Sequence, residues 1–249
     1  MQVIFVPGMQ CTGQLFGDVS AALQARFPNI LVSNHVVTES RLEAAATSLA
    51  GRMDGPSILV GHSLGGTVAM AAARMYPFSV AGMALICSNP RPPRTDQVGL
   101  WGEMSRQVLD GQLSSISQGL VPKLLDGQVW DTSLAATEAA EMCHRMMAEI
   151  GGHGLAAQLG VQRQRIDERL ALAEFLGPVL AVAAAKDSLV PVHVVKEIAM
   201  NARQGEFATV SGASHMLPMT DPAQLASLLA QWISENFDPK LAAAGNIID

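Results

Sequence analysis

Three side chains far apart in the sequence, Ser63, Asp187 and His215, have the types and the chain order that activate an oxygen nucleophile. A serine hydroxyl is weakly nucleophilic at neutral pH. It needs a base within hydrogen-bond reach, and the base needs an orienting group. Ser63 is the centre of Gly61-His62-Ser63-Leu64-Gly65, between the apolar run Ser57-Ile58-Leu59-Val60 and an Ala- and Met-rich helical pattern starting at Leu64. A G-x-S-x-G between strand and helix lifts its serine clear of the sheet edge on a sharp turn. The helix start adds a field that favours developing negative charge. His215 lies in Ser211-Gly212-Ala213-Ser214-His215-Met216, ahead of the last helical pattern, and reads as the base. Asp187 ends a second apolar run and precedes Ser188-Leu189-Val190-Pro191, so it reads as the orienting carboxylate. Asp221 is a rival, but Asp-Pro at a helix start is a capping signal.

Attack on a carbonyl creates an oxyanion that needs two donors. The backbone N–H of Leu64, directly after the nucleophile, is one. The other is expected from the loop Val6-Pro7-Gly8-Met9-Gln10. Met9 is the first choice, Gln10 the second, and the Gln10 side chain also reaches toward the site. His62 alternates to the other side of its strand from Ser63 and reads as structural or pocket-lining. Cys11, near the same loop, reads as a packing residue. His35, His144, His153 and His193 have no metal-ligand spacing, so neither metal nor organic cofactor is expected.

These residues require elements that bring them to one edge. Short β-rich runs at 2–6, 30–37, 57–60, 82–87, 179–184 and 206–210 alternate with helical patterns at 16–26, 41–53, 64–75, 192–201 and 222–235. Most of the strands are continuously apolar, as in a parallel sheet buried on both faces. Ser63, Asp187 and His215 then follow the carboxyl ends of three strands, where open α/β sheets gather their sites. Residues 90–176 break the alternation. They hold helical patterns at 96–109, 113–124, 133–150 and 155–175, entered through Pro90-Arg91-Pro92-Pro93 and left through Gly177-Pro178. They are expected to form a helical cap within a single domain spanning 1–249. From it, Trp101, Met104, Trp130, Met142 and Met146, with Met216 from the sheet side, are candidate lining for an apolar pocket. Arg163 and Arg165 have the chemistry to hold a substrate carboxylate, but read first as a solvated helix face.

Composition narrows the classes. The 249 residues are 49% apolar and 15% charged, enough for one large core, with a net charge of −6. No Lys/Arg run suggests nucleic acid or an anionic membrane surface as partner. Three dispersed cysteines exclude a disulfide scaffold and point to a reducing cytoplasm. No apolar run approaches the ~20 residues of a membrane span, and the first residues lack a signal-peptide pattern.

On the motifs above, the chain resembles the α/β-hydrolase superfamily, in particular compact capped members such as 3-oxoadipate enol-lactonases, meta-cleavage-product hydrolases and pimeloyl-carrier methyl esterases. The resemblance implies a mostly parallel sheet flanked by helices. It also implies a serine hydrolase acting on a small, partly apolar ester, thioester or lactone. The chain starts at what would be that family's third strand, without the preceding hairpin, so about six strands are expected. Val6-Pro7-Gly8 stands where many members have His-Gly. Ser63 at the elbow separates the chain from epoxide hydrolases and haloalkane dehalogenases, which carry Asp there. Cys87-Ser88-Asn89, where some members carry the acid, has no carboxylate, which favours Asp187. C–C bond hydrolysis, acyl transfer and cofactor-free lyase or oxygenase chemistry recur on the same fold, and a non-catalytic small-molecule binding protein is the remaining alternative.

Overall fold

The computed structural model describes residues 1–125 and 134–237. The apolar runs form six strands: β1 (Gln2–Val6), β2 (Leu31–Asn34), β3 (Ser57–His62), β4 (Val80–Ile86), β5 (Pro178–Ala184) and β6 (Gln204–Val210). They build one sheet in the order β2-β1-β3-β4-β5-β6, with every pair parallel. From β1 the chain steps outward to β2, then back across to β3. The winding direction therefore reverses between β1 and β3, the place where such sheets open a crevice.

The helices are α1 (Gly17–Arg26), α2 (Leu42–Ala50), α3 (Leu64–Met75), α4 (Thr95–Leu109), α5 (Leu113–Leu124), α6 (Leu134–Arg163), α7 (Arg169–Glu174), α8 (Val192–Asn201), α9 (Leu217–Thr220) and α10 (Pro222–Phe237). Because strand side chains alternate, the sheet has two separate cores. Val3, Phe5, Ile58, Val60 and Val182 pack beneath α1 and α10, around Leu23, Leu229 and Trp232. Ile4, Leu59, Leu85 and Ala181 pack beneath α2, α3 and α8, around Leu49, Val68 and Val195. Burial on both faces is the reason these strands are apolar throughout rather than alternating.

Three boundaries differ from expectation. The second strand is shorter than 30–37, because it lies at the sheet edge and its only partner, β1, pairs with it no further than Phe5 opposite Asn34. Residues 155–175 are not one helix. α6 is two helical segments meeting at a backbone break at Gly151 (φ 71°), where the expected 133–150 and 155–175 patterns divide, and the second segment ends at Arg163. The chain then leaves helical geometry until α7. The Glu168 amide donates to the Pro90 carbonyl at 2.9 Å, and its carboxylate pairs with Arg74 on α3 at 3.1 Å. These contacts hold the end of the inserted segment against its beginning. Helices α4 and α5 pack on α6. No described helix is long and apolar enough to cross a membrane.

The fold's tightest joint is α3 against β1. A Cβ on Gly65 would lie 1.9 Å from the Val6 carbonyl oxygen, a backbone atom that cannot step aside. A Cβ on Gly99, in the exposed part of α4, would meet nothing within 4 Å. Gly65→Ala is therefore expected to destabilise the protein by about 3 kcal/mol or more through overpacking. Gly99→Ala should stabilise it by up to about 1 kcal/mol through reduced unfolded-state entropy. Urea unfolding midpoints of the two variants check this; equal shifts would contradict the joint.

Candidate active site

β3 ends at His62 and α3 begins at Leu64, which leaves Ser63 alone to turn the chain. Its backbone sits at φ 51°, ψ −114°, a conformation that costs a residue with a side chain about 1–3 kcal/mol. Neighbouring backbone holds it there. Its amide donates to the Ile86 carbonyl at 2.9 Å, and its carbonyl accepts from Gly66 and Thr67 at 3.1 and 3.2 Å. A side chain on Gly61 would lie 2.6 Å from the Gly66 backbone, so the turn closes only over glycine.

β5 and β6 pair to the last residues, Ala184 opposite Val210. Beyond them the Lys186 amide still donates to the Ala213 carbonyl at 2.9 Å. The loops bearing Asp187 and His215 are thus laid side by side. His215 Nδ1 is 2.7 Å from Asp187 Oδ2, and His215 Nε2 is 3.1 Å from Ser63 Oγ. A carboxylate can only accept, so Nδ1 carries the proton and Nε2 is left to accept from the hydroxyl. The other oxygen of Asp187 accepts from the Leu189 and Val190 amides at 2.8 and 2.9 Å. Burial works against the ionised carboxylate. The hydrogen bond and charge of His215, with those two amides, outweigh it and hold Asp187 below the usual carboxylate range.

The loop after β1 faces the elbow. Gln10, at φ 67°, donates its backbone N–H to Gln158 Oε1 of α6 at 2.8 Å, and Gln158 Nε2 donates on to the Val37 carbonyl at 3.1 Å. The Gln10 amide is therefore already engaged, while the Met9 amide has no hydrogen-bond partner among the described residues. The Leu64 amide opens α3, and the Leu64 side chain turns down into the core beneath that helix.

His62 lies beside the site rather than away from it. Its Nε2 donates to the His215 carbonyl at 2.8 Å, and the two rings are 5.0 Å apart. Burial, reinforced by His215, lowers the His62 pKa to about 3, so this imidazole stays neutral. Cys87 was not singled out as a site residue. It directly follows β4, at φ 48°, with its buried thiol against Asp187; burial first, and that carboxylate second, push its pKa well up. Its place at the carboxyl end of a central strand was the available signal. Ligand atoms of His62, Cys87 and His215 lie within 4.8 Å of one another, but both His215 nitrogens are already committed to Asp187 and Ser63. Cys11 is buried, with Sγ 3.4 Å from the Met9 carbonyl.

A cavity of about 200 Å³ opens onto Ser63 and His215. Met9, Gln10, Trp101, Met104 and Met216 line it. So do Gln162 and Arg165 near the end of α6, and Leu189 and Val190, which directly follow Asp187. Met142 and Met146 do not. Met146 is fully buried with Cys143 in the core that also holds Phe5 and Phe16, and Met142 packs against that core. Both lie on the part of α6 before the Gly151 break, whereas Gln162 comes from the part after it. Trp130 lies outside the described residues. Arg163 is exposed, but Arg165 is buried, contrary to a solvated face.

Residues 3–228 match the model of the alpha/beta hydrolase family. The chain is 28% identical over 248 residues to a pimeloyl-[acyl-carrier protein] methyl ester esterase of Methylococcus capsulatus, covering 94% of this chain and 95% of that protein. Among solved structures it resembles a thermophilic esterase from Thermogutta terrifontis (TM-score 0.84, 22% identity, 94% of this chain and 90% of that one). It also resembles the enol-lactonase from Burkholderia xenovorans LB400 (TM-score 0.82, 14% identity, 94% and 91%). The chain belongs to the alpha/beta hydrolase family and is an enzyme of the hydrolase class.

The buried neutral His62 gives the site a definite response to acid. From pH 6.5 downward the unfolded chain binds a proton at this imidazole, while the folded chain does not until about pH 3. Stability contributed by His62 is thus complete above 6.5 and lost as the pH falls across that window. Between pH 7 and pH 5 the loss is about 2 kcal/mol. Denaturant unfolding of the wild type and of His62→Gln at both pH values measures it. The variant should lose about 2 kcal/mol less than the wild type; an equal loss would contradict a neutral buried imidazole.

Proposed function

We propose that this chain hydrolyses a small carboxylic ester, thioester or lactone through an acyl-enzyme on Ser63. The observation that carries the reading is the unbroken hydrogen-bonded line from Ser63 Oγ through His215 to Asp187. The esterase names of its relatives agree with it. As Ser63 Oγ forms its bond to the acyl carbon, the hydroxyl proton passes to His215 Nε2, and the carbonyl electron pair moves onto oxygen. The amides of Leu64 and Met9 receive that oxyanion. Asp187 holds the imidazole in the accepting tautomer and stabilises the imidazolium.

Collapse of the intermediate breaks the bond to the leaving oxygen or sulfur, which takes the proton from His215. Water then repeats the sequence: it gives a proton to His215, attacks the acyl carbon and releases the acid, and Ser63 Oγ recovers the proton. One water is consumed, and no metal or organic cofactor enters. Helices α4–α6 act as the cap over the cavity, which, at about 200 Å³, suits a compact substrate.

Steady-state kinetics on a panel of short-chain esters, thioesters and lactones tests the proposal. Ser63→Ala or His215→Ala is expected to lower kcat by about 10⁴-fold or more, and Asp187→Asn by about 10⁴-fold. A fluorophosphonate should label the wild type at Ser63 and fail on Ser63→Ala. Full turnover by Ser63→Ala would remove the mechanism.

A further inference from the structure

One charged group in the cavity has no counterpart. Arg165 is 9% exposed and lines the same cavity as Ser63. Its Nε is buried without a hydrogen-bond partner, and no acid pairs with its guanidinium among the described residues. The two nearest acids in sequence are taken: Asp167 accepts from Arg169 at 2.8 Å, and Glu168 pairs with Arg74 at 3.1 Å. Arg165 instead lies over the Trp101 ring, 5.3 Å from its centroid, and both residues line the cavity. Burial lowers its pKa to about 10, so it remains charged at neutral pH.

An unpaired buried cation costs several kcal/mol unless something compensates it. The Trp101 ring offsets part of that cost and no acid among the described residues offsets the rest, which leaves the guanidinium available to an anionic ligand. Gln162, a neighbour on the chain and in the cavity wall, also has an unpaired buried amide oxygen, which leaves that amide free to turn its NH₂ toward an anion. The same cavity wall also includes the apolar Met104, Leu124 and Val190. Resting on the hydrolase reading above, we propose that Arg165 binds a carboxylate carried by the substrate, so that the site takes compact esters, thioesters or lactones bearing a free acid group across a short apolar spacer. The planar fork of arginine and a carboxylate form two parallel charged hydrogen bonds, and burial of the guanidinium strengthens them.

The test compares kcat/KM for the monomethyl esters of succinic, glutaric and adipic acids with that for the neutral dimethyl esters of the same acids. The wild type is expected to favour at least one half-ester about tenfold or more, chiefly through KM. Arg165→Gln should bring that preference down to about unity, the charged partner of the carboxylate having been removed, and Arg165→Lys should restore part of it. Glutarate and succinate should raise the melting temperature of the wild type and not that of Arg165→Gln.

Equal rates on charged and neutral esters by the wild type would overturn the inference and leave the hydrolase reading standing. So would an undiminished half-ester preference in a folded Arg165→Gln. If the wild type cleaves no ester, the hydrolase reading fails, and the dicarboxylate melting shift alone decides whether Arg165 is an anion site; no shift overturns it. If Arg165→Gln does not fold, the half-ester preference and melting shift of the wild type decide.

Discussion

The close approach of the first turn of α3 to the end of β1 is the constraint on which the rest depends. The Val6 carbonyl and Gly65 are so near that no β-carbon fits between them. This contact keeps Ser63 in its strained conformation, because the chain cannot relax the turn without driving α3 into the sheet. It also places the start of α3 beside the loop after β1. The Leu64 amide, at the start of α3, is therefore positioned by backbone packing rather than by long side chains. Preorganised dipoles of this kind need no rearrangement when charge develops.

Around that joint the electrostatics are divided by depth. Beneath the serine, His62 and Cys87 are buried and held uncharged. Asp187 is equally deep but stays ionised, because two backbone amides and His215 satisfy it. The negative charge of Asp187 thus faces the imidazole of His215. In the wall of the same cavity Arg165 supplies a positive charge with no acidic partner among the described residues, so the cavity holds both an acid–imidazole pair from the sheet and a cation from the insertion.

The alternation of strands and helices was readable because the strands are buried on both faces, which left near-continuous apolar runs between Gly- and Pro-rich turns. The site residues contributed by the sheet were readable for a related reason: Ser63, Asp187 and His215 each follow a strand's carboxyl end in a short glycine- or serine-containing loop. The insertion was less legible. Its helices could be counted, but which face of each meets the cavity depends on the Gly151 break and on the Glu168–Arg74 pair, which are tertiary facts. Met142 and Met146 have the composition of pocket lining and a helical spacing equally suited to core, and packing decided for core. Arg165 sits in a run of charged residues that looks solvated; only the pairing of Asp167 and Glu168 with other arginines leaves it alone and inside.

Gln158 gives the insertion a second office. Its side chain takes the Gln10 amide at one end and offers a proton to the Val37 carbonyl at the other, stitching α6 to the segment that follows β1. Lifting α6 to admit a molecule would break that stitch and unfasten the residue next to Met9. Through these two bonds a displacement of the insertion is passed directly to the loop after β1.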